Sequence, residues 1–225
     1  MRTPGRRRDK EATRERIFRA ASEEFAQFGF SGTSLARIAR RAGCSKAIIH
    51  RYFGKKEDLY RSALNASYAE LSRRETVHIT SQTSSVQEML QGILEDLFVF
   101  NREHPSFARL VAWENLAGAR YLKAREARAA REPGLRKLRS LLEEAVGRGL
   151  VRADLDLDRL VYMLQAITVV YFSNRHTMRK LTGIPFGSRK TMREFILFYA
   201  SILERGIANT RGRSHDPRTE AAGSH

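Results

Sequence analysis

A single cysteine, Cys44, in 225 residues excludes an internal disulfide and a multi-thiolate zinc site. No apolar run approaches the roughly 20 residues needed to span a membrane. Met1 to Lys10 leads into no apolar signal-peptide core. A cytoplasmic protein without a membrane partner is therefore expected. Acidic residues are scarce: 25 Asp and Glu stand against 41 Lys and Arg, for a formal net charge of +16. That balance suits a polyanionic partner, either nucleic acid or an anionic surface. There is no His-Glu-x-x-His spacing, no glycine-rich phosphate loop and no Gly-x-Ser-x-Gly elbow. Neither a metal nor a nucleotide cofactor is indicated, and no converging nucleophile or acid points to an enzyme. Asp154, Asp156 and Asp158 alternate like the start of a calcium loop, but Arg159 holds the required Gly position and Gln165 the closing Glu position. Helix capping by Asp156 or Asp158 is the expectation instead.

What the chain does have is apolar residues, 42% of the total, enough for one large domain or two small ones. Alternating apolar and polar runs are hard to find, and turn residues cut the chain into helix-length pieces. The fold class is all-α. Helices are expected over residues 9–28, 34–42, 45–52, 57–74, 85–103, 105–116, 118–131, 133–148, 156–181 and 188–210. In the first, Ile17, Ala21, Phe25 and Phe28 fall at helical spacing before Gly29, a natural terminator. Pro105 and Pro133 suit first-turn positions. Residues 1–8 form a basic flexible arm and 211–225 a disordered tail, both polar and without periodicity. Arg2, Arg6, Arg7 and Arg8 of that arm either enter a minor groove or are merely solvated.

Two short helices separated by Gly43-Cys44, the second ending in His50-Arg51-Tyr52-Phe53, have the length and turn of a helix-turn-helix. Charge sharpens the reading, because residues 1–60 hold 15 Lys and Arg against 7 Asp and Glu, half of the net charge. Arg37, Arg40 and Arg41 read as DNA-contacting, or else as a solvated face.

The run from Gly32 to Leu59, with its Ala-Gly-x-Ser turn followed by Tyr-Phe-x-x-Lys-Glu-x-Leu, resembles the DNA-binding region of TetR-type bacterial transcriptional regulators. The resemblance covers about residues 9–62. It implies a homodimer of all-helical subunits, each with a three-helix DNA-binding domain (9–56) and a larger helical domain for effector binding and dimerisation (57–210). It makes Ser45 to Arg51 the recognition helix, with Lys46, Ala47, Ile48 and His50 nearest the bases. Thr33, Tyr52 and Lys56 match phosphate-contacting positions, and Ser34 and Arg51 complete the DNA-binding set. The family usually has Gly at the site of Ala47 and Tyr at that of His50, so base preference does not carry over.

Beyond residue 58 the resemblance is general. Polar and aromatic residues on apolar helices, namely Trp113, Asn115, Tyr162, Gln165, Tyr171 and Asn174, could line an effector pocket or be ordinary core. Wide apolar faces with Leu160, Leu164, Ile167, Phe195, Phe198, Tyr199, Ile202 and Leu203 would, by resemblance, form a four-helix bundle with a second subunit; an intramolecular core is the alternative. The expectation is a sequence-specific regulator that represses from a palindromic operator on double-stranded DNA and is released by a small-molecule effector. When bound to DNA it would sit at the nucleoid. A non-specific architectural DNA-binding protein is the rival reading.

Overall fold

The computed structural model describes residues 4–74 and 85–209, with the backbone alone for residues 4–8. Nine helices run through the described residues: α1 (Pro4–Gly32), α2 (Leu35–Ala42), α3 (Lys46–Phe53), α4 (Lys56–Arg74), α5 (Val86–Glu103), α6 (Pro105–Leu116), α7 (Ala124–Gly147), α8 (Leu157–Thr182) and α9 (Arg189–Ile207). α1 begins within the segment expected as a flexible arm: Pro4 has a φ suited to a first turn, and the arginines after it are good helix formers. Residues 1–3 and the tail 211–225 lie outside the described residues. Gly29 interrupts α1 at φ 66° and ψ −177°, where the sequence places the break.

Two cores organise the chain. The first joins Ile17, Ala21 and Phe25 of α1 to Ile38 of α2, Ile49 and Phe53 of α3, and Leu59, Tyr60, Ala63 and Leu64 of α4. It also takes in Leu110 of α6, and Tyr121 and Leu122 pack against it. The second core is built from α5 through α9 with the far end of α4, and in it α5 packs against both α8 and α9. Leu160 and Leu164 belong to this second core, at 5% and 0% exposure, so they face inward and are not on an outer subunit-contact face. Ile167, Phe195, Tyr199 and Leu203 are half-buried against it, whereas Phe198 and Ile202 are exposed.

Residues 118–148 do not form the two expected helices. α7 starts at Ala124 because the buried carboxylate of Glu114 accepts the backbone N–H groups of Tyr121 and Leu122 at 2.7 and 2.9 Å and holds the preceding segment as a loop. α7 then continues through Pro133, although proline has no N–H and its ring crowds the previous turn. Buried Ser72 of α4 bridges the break. Its hydroxyl accepts from the Gly134 N–H at 2.6 Å and donates to the Arg131 carbonyl at 3.4 Å. At the other end of the chain, Val151 and Ala208 form an antiparallel bridge. Arg152 N–H donates to the Ile207 carbonyl and Asn209 N–H to the Leu150 carbonyl, which ends α9 at Ile207.

Candidate nucleic-acid interface

Local sequence sets both short helices. Ser34 caps α2 by accepting from the Arg37 N–H at 3.3 Å. Gly43 follows in the left-handed region, at φ 62° and ψ 43°, which lets the Cys44 N–H return to the Ala39 carbonyl at 3.0 Å. Ser45 caps α3 through the Ile48 N–H. Ile49 and Phe53 are buried, and helical spacing sets Ala47 and Arg51 opposite them; Lys46, in the first turn, and His50 flank the buried pair, and all four residues are exposed. Ile48 and Tyr52 are half-buried at the edges of that face.

His50 closes α3 with a reciprocal pair. The Gly54 N–H donates to the His50 carbonyl at 2.9 Å, and the His50 ring Nδ1 lies 3.0 Å from the Gly54 carbonyl. Gly54 has φ 76° and ψ −131°, and a Cβ there would lie 2.9 Å from Asp58 Oδ2. That carboxylate caps α4 by accepting the Lys55 N–H at 3.1 Å, and the hydrogen bond holds Asp58 below the usual carboxylate range. In the first turn of α4 the Lys56 ammonium stands 4.2 Å from the Phe30 ring centroid, and partial burial lowers its pKa. A cation there stands beside the unpaired N–H groups of a helix start, a suitable place for a phosphate.

Two parts of the expected basic face are already engaged. Buried Glu24 of α1 pairs with Arg37 at 3.0 Å and with Arg41 at 3.4 Å, and Arg41 also pairs with Glu23. These arginines fasten α2 to α1, while Arg40 stays exposed. Thr33 is buried, and its hydroxyl donates to the Glu24 carbonyl at 3.0 Å. Its side chain is therefore directed inward. Sequence reasoning missed Glu24, although an acid on an otherwise apolar helix face opposite a basic helix is the signal that could have found it.

The six residues expected around an effector are not gathered into one pocket. The Trp113 indole lies against Gly29 and donates its N–H to the Ala26 carbonyl at 3.3 Å, joining α6 to α1. Asn115 is exposed and bonds the Val111 carbonyl of its own helix. On α8, Tyr162 and Asn174 face outward, Tyr171 is packed among Phe98, Phe172 and Phe195, and Gln165 is half-buried with its Nε2 unpartnered. A cleft of about 700 Å³ opens elsewhere, between α1, α4 and the corner joining α5 to α6. Its walls include Phe18, Arg19, Glu70, Glu103, His104 and Phe107.

A helix-turn-helix carrying a cationic outer face and fused to a larger helical domain is the architecture of a DNA-binding transcriptional regulator with a C-terminal ligand-binding domain. Two family models match: that of bacterial regulatory proteins of the tetR family over residues 17–63, and the tetracyclin repressor-like C-terminal domain over residues 87–199. The chain belongs to the TetR family of transcriptional regulators. It is 31% identical to the HTH-type transcriptional regulator RutR of Escherichia coli O157:H7, over 90% of this chain and 91% of that one. It is 26% identical to the HTH-type transcriptional repressor NicS of Pseudomonas putida, over 90% and 95%. A TetR-family regulator from Mesorhizobium loti has the same fold, with a TM-score of 0.68 at 19% identity over 88% of this chain and 98% of that one. Regulators of this family bind DNA operators, form dimers and respond to small-molecule effectors. No described helix is long and apolar enough to cross a membrane.

Proposed function

We propose that this chain is a cytoplasmic homodimeric repressor, located at the nucleoid when bound to a palindromic operator and released from it by a small molecule. The observation that carries the reading is the exposed surface of α3: Lys46, Ala47, His50 and Arg51 are all exposed on a helix anchored by buried Ile49 and Phe53. These four, with Ile48, would meet base edges, and Ser34, Ser45, Tyr52 and Lys56 the phosphates. Thr33 would act through the α1–α2 turn that it stabilises. The name of the Pseudomonas relative supports repression. A symmetric pair of subunits would place two recognition helices about 34–36 Å apart on one face of the duplex.

The unpartnered apolar face for such a pair runs along Tyr162, Met163 and Val170 of α8 and Leu197, Phe198 and Ile202 of α9. For the effector, the cleft between α1, α4 and the α5–α6 corner has the size of a small-molecule site. A ligand there would touch both the DNA-binding helices and the larger domain, so it would bind one arrangement of the two better than another. A coupling of about 1–3 kcal/mol is enough for release.

Selection of bound duplexes from a random pool, followed by affinity across a salt series, tests this. Recovery of a palindrome bound by a dimer supports the reading. Salt-sensitive binding without sequence preference overturns it in favour of an architectural protein. With the operator in hand, Ala66→Trp, which fills the cleft, should leave operator binding intact and abolish release by any compound found to dissociate the complex.

A further inference from the structure

The hydrogen bond that orients His50 also decides what the rest of its ring can recognise. A carbonyl oxygen has no proton to give, so in the 3.0 Å contact with Gly54 the donor must be Nδ1–H. In the neutral ring this leaves Nε2 as a bare acceptor on the exposed face of α3, one turn beyond Lys46. Phosphate oxygens, guanine O6 and N7, adenine N7 and thymine O4 are all acceptors and offer such a tip nothing. The only donors in the major groove are the exocyclic amines, N6 of adenine and N4 of cytosine. The Tyr that the family resemblance places here would have a hydroxyl free to donate or accept, and His50 replaces it with a fixed polarity.

We infer that His50 is a specificity-determining residue that reads an exocyclic amino group, selecting adenine or cytosine at one position of each half-site. Gly54 is its positioning partner. Its backbone, in a region that L side chains rarely adopt and with Asp58 Oδ2 2.9 Å from where a Cβ would lie, aims the carbonyl that sets the tautomer. The inference rests on the reading of α3 as the recognition helix.

The test uses the full-length protein and the operator it selects, at pH 8.5. Each adenine is replaced in turn by unsubstituted purine and each cytosine by pyrimidin-2-one, so that only the exocyclic amine is lost. At one position per half-site this should weaken wild-type binding about 5- to 150-fold while leaving His50→Ala within about twofold. Where that position is adenine, 7-deazaadenine, which keeps the amine and loses only N7, should leave both unchanged. The inference is overturned if no position shows an amine effect that depends on His50. It is equally overturned if His50→Ala lowers the salt slope by about one and alters no base preference, the mark of a phosphate contact. Failure of the recognition-helix reading looks different: selection then returns no preferred sequence, or one that Lys46→Ala, Ala47→Ser and His50→Ala all leave unchanged.

Discussion

At Gly29 a Cβ would lie 2.8 Å from the Trp113 ring, on backbone already in the left-handed half of φ space. Both constraints act at once, because the residue that ends the main run of α1 is also the residue against which α6 rests. Gly29→Ala should lower stability by about 1–3 kcal/mol in urea unfolding, with the loss appearing as a shifted midpoint. Ser45 has a smaller but more local part. Ser45→Ala removes the cap of α3 and should cost about 1 kcal/mol of stability while weakening operator binding. Asp58 carries a pH dependence whose sign is fixed by its hydrogen bond to the Lys55 N–H. Its folded pKa lies below the ordinary 3.8, so its contribution is present above that value and is lost as the pH falls through the lower, folded one. Asp58→Asn should flatten that acid limb in a pH series of thermal unfolding.

Among the elements, α7 shows most clearly what a sequence can and cannot say. The residues that stop and start α2 and α3, namely Ser34, Gly43 and Ser45, act within three or four positions of themselves, so their parts are legible in the chain. Pro133 reads locally as a helix start, whereas in the fold it lies inside α7, where Ser72, 62 positions from the Gly134 N–H it accepts, bonds the backbone on either side of it. Ser72→Ala should therefore leave the N–H of Gly134 buried and unpaired and cost about 1–3 kcal/mol by chemical denaturation. The outer residues of α3 were legible through the family resemblance, which singles out Lys46, Ala47 and His50, all three of them exposed. The apolar periodicity of α8 was legible only in part. It shows that Leu160 and Leu164 must be covered, but not whether α5 or another subunit covers them. Trp113 escaped for the same reason: its partner is a glycine, which carries no sequence signal of contact.

Over the whole molecule, Leu164 faces inward and Phe198 and Ile202 outward, so the proposed subunit contact can be tested apart from folding. Phe198→Glu with Ile202→Glu should give a folded monomer by sedimentation and lose operator affinity, whereas Leu164→Ala should lower stability by about 2–5 kcal/mol. The net charge of +16 adds a long-range term. Lys56→Ala should weaken binding to all sequences alike and reduce the salt slope by about one. The first core bears on how such regulators can be recombined. It does not stop at the start of α4 but runs on through Leu64 and borrows Leu110, Tyr121 and Leu122 from the second half of the chain. A chimera that transplanted only residues 1–56 onto another regulator would inherit the reading surface without its foundation. A working graft has to carry the Leu59–Leu64 turns and to match the host's counterparts of Leu110 and Trp113, so the exchangeable module is defined by what packs together and not by where the chain crosses from one lobe to the other.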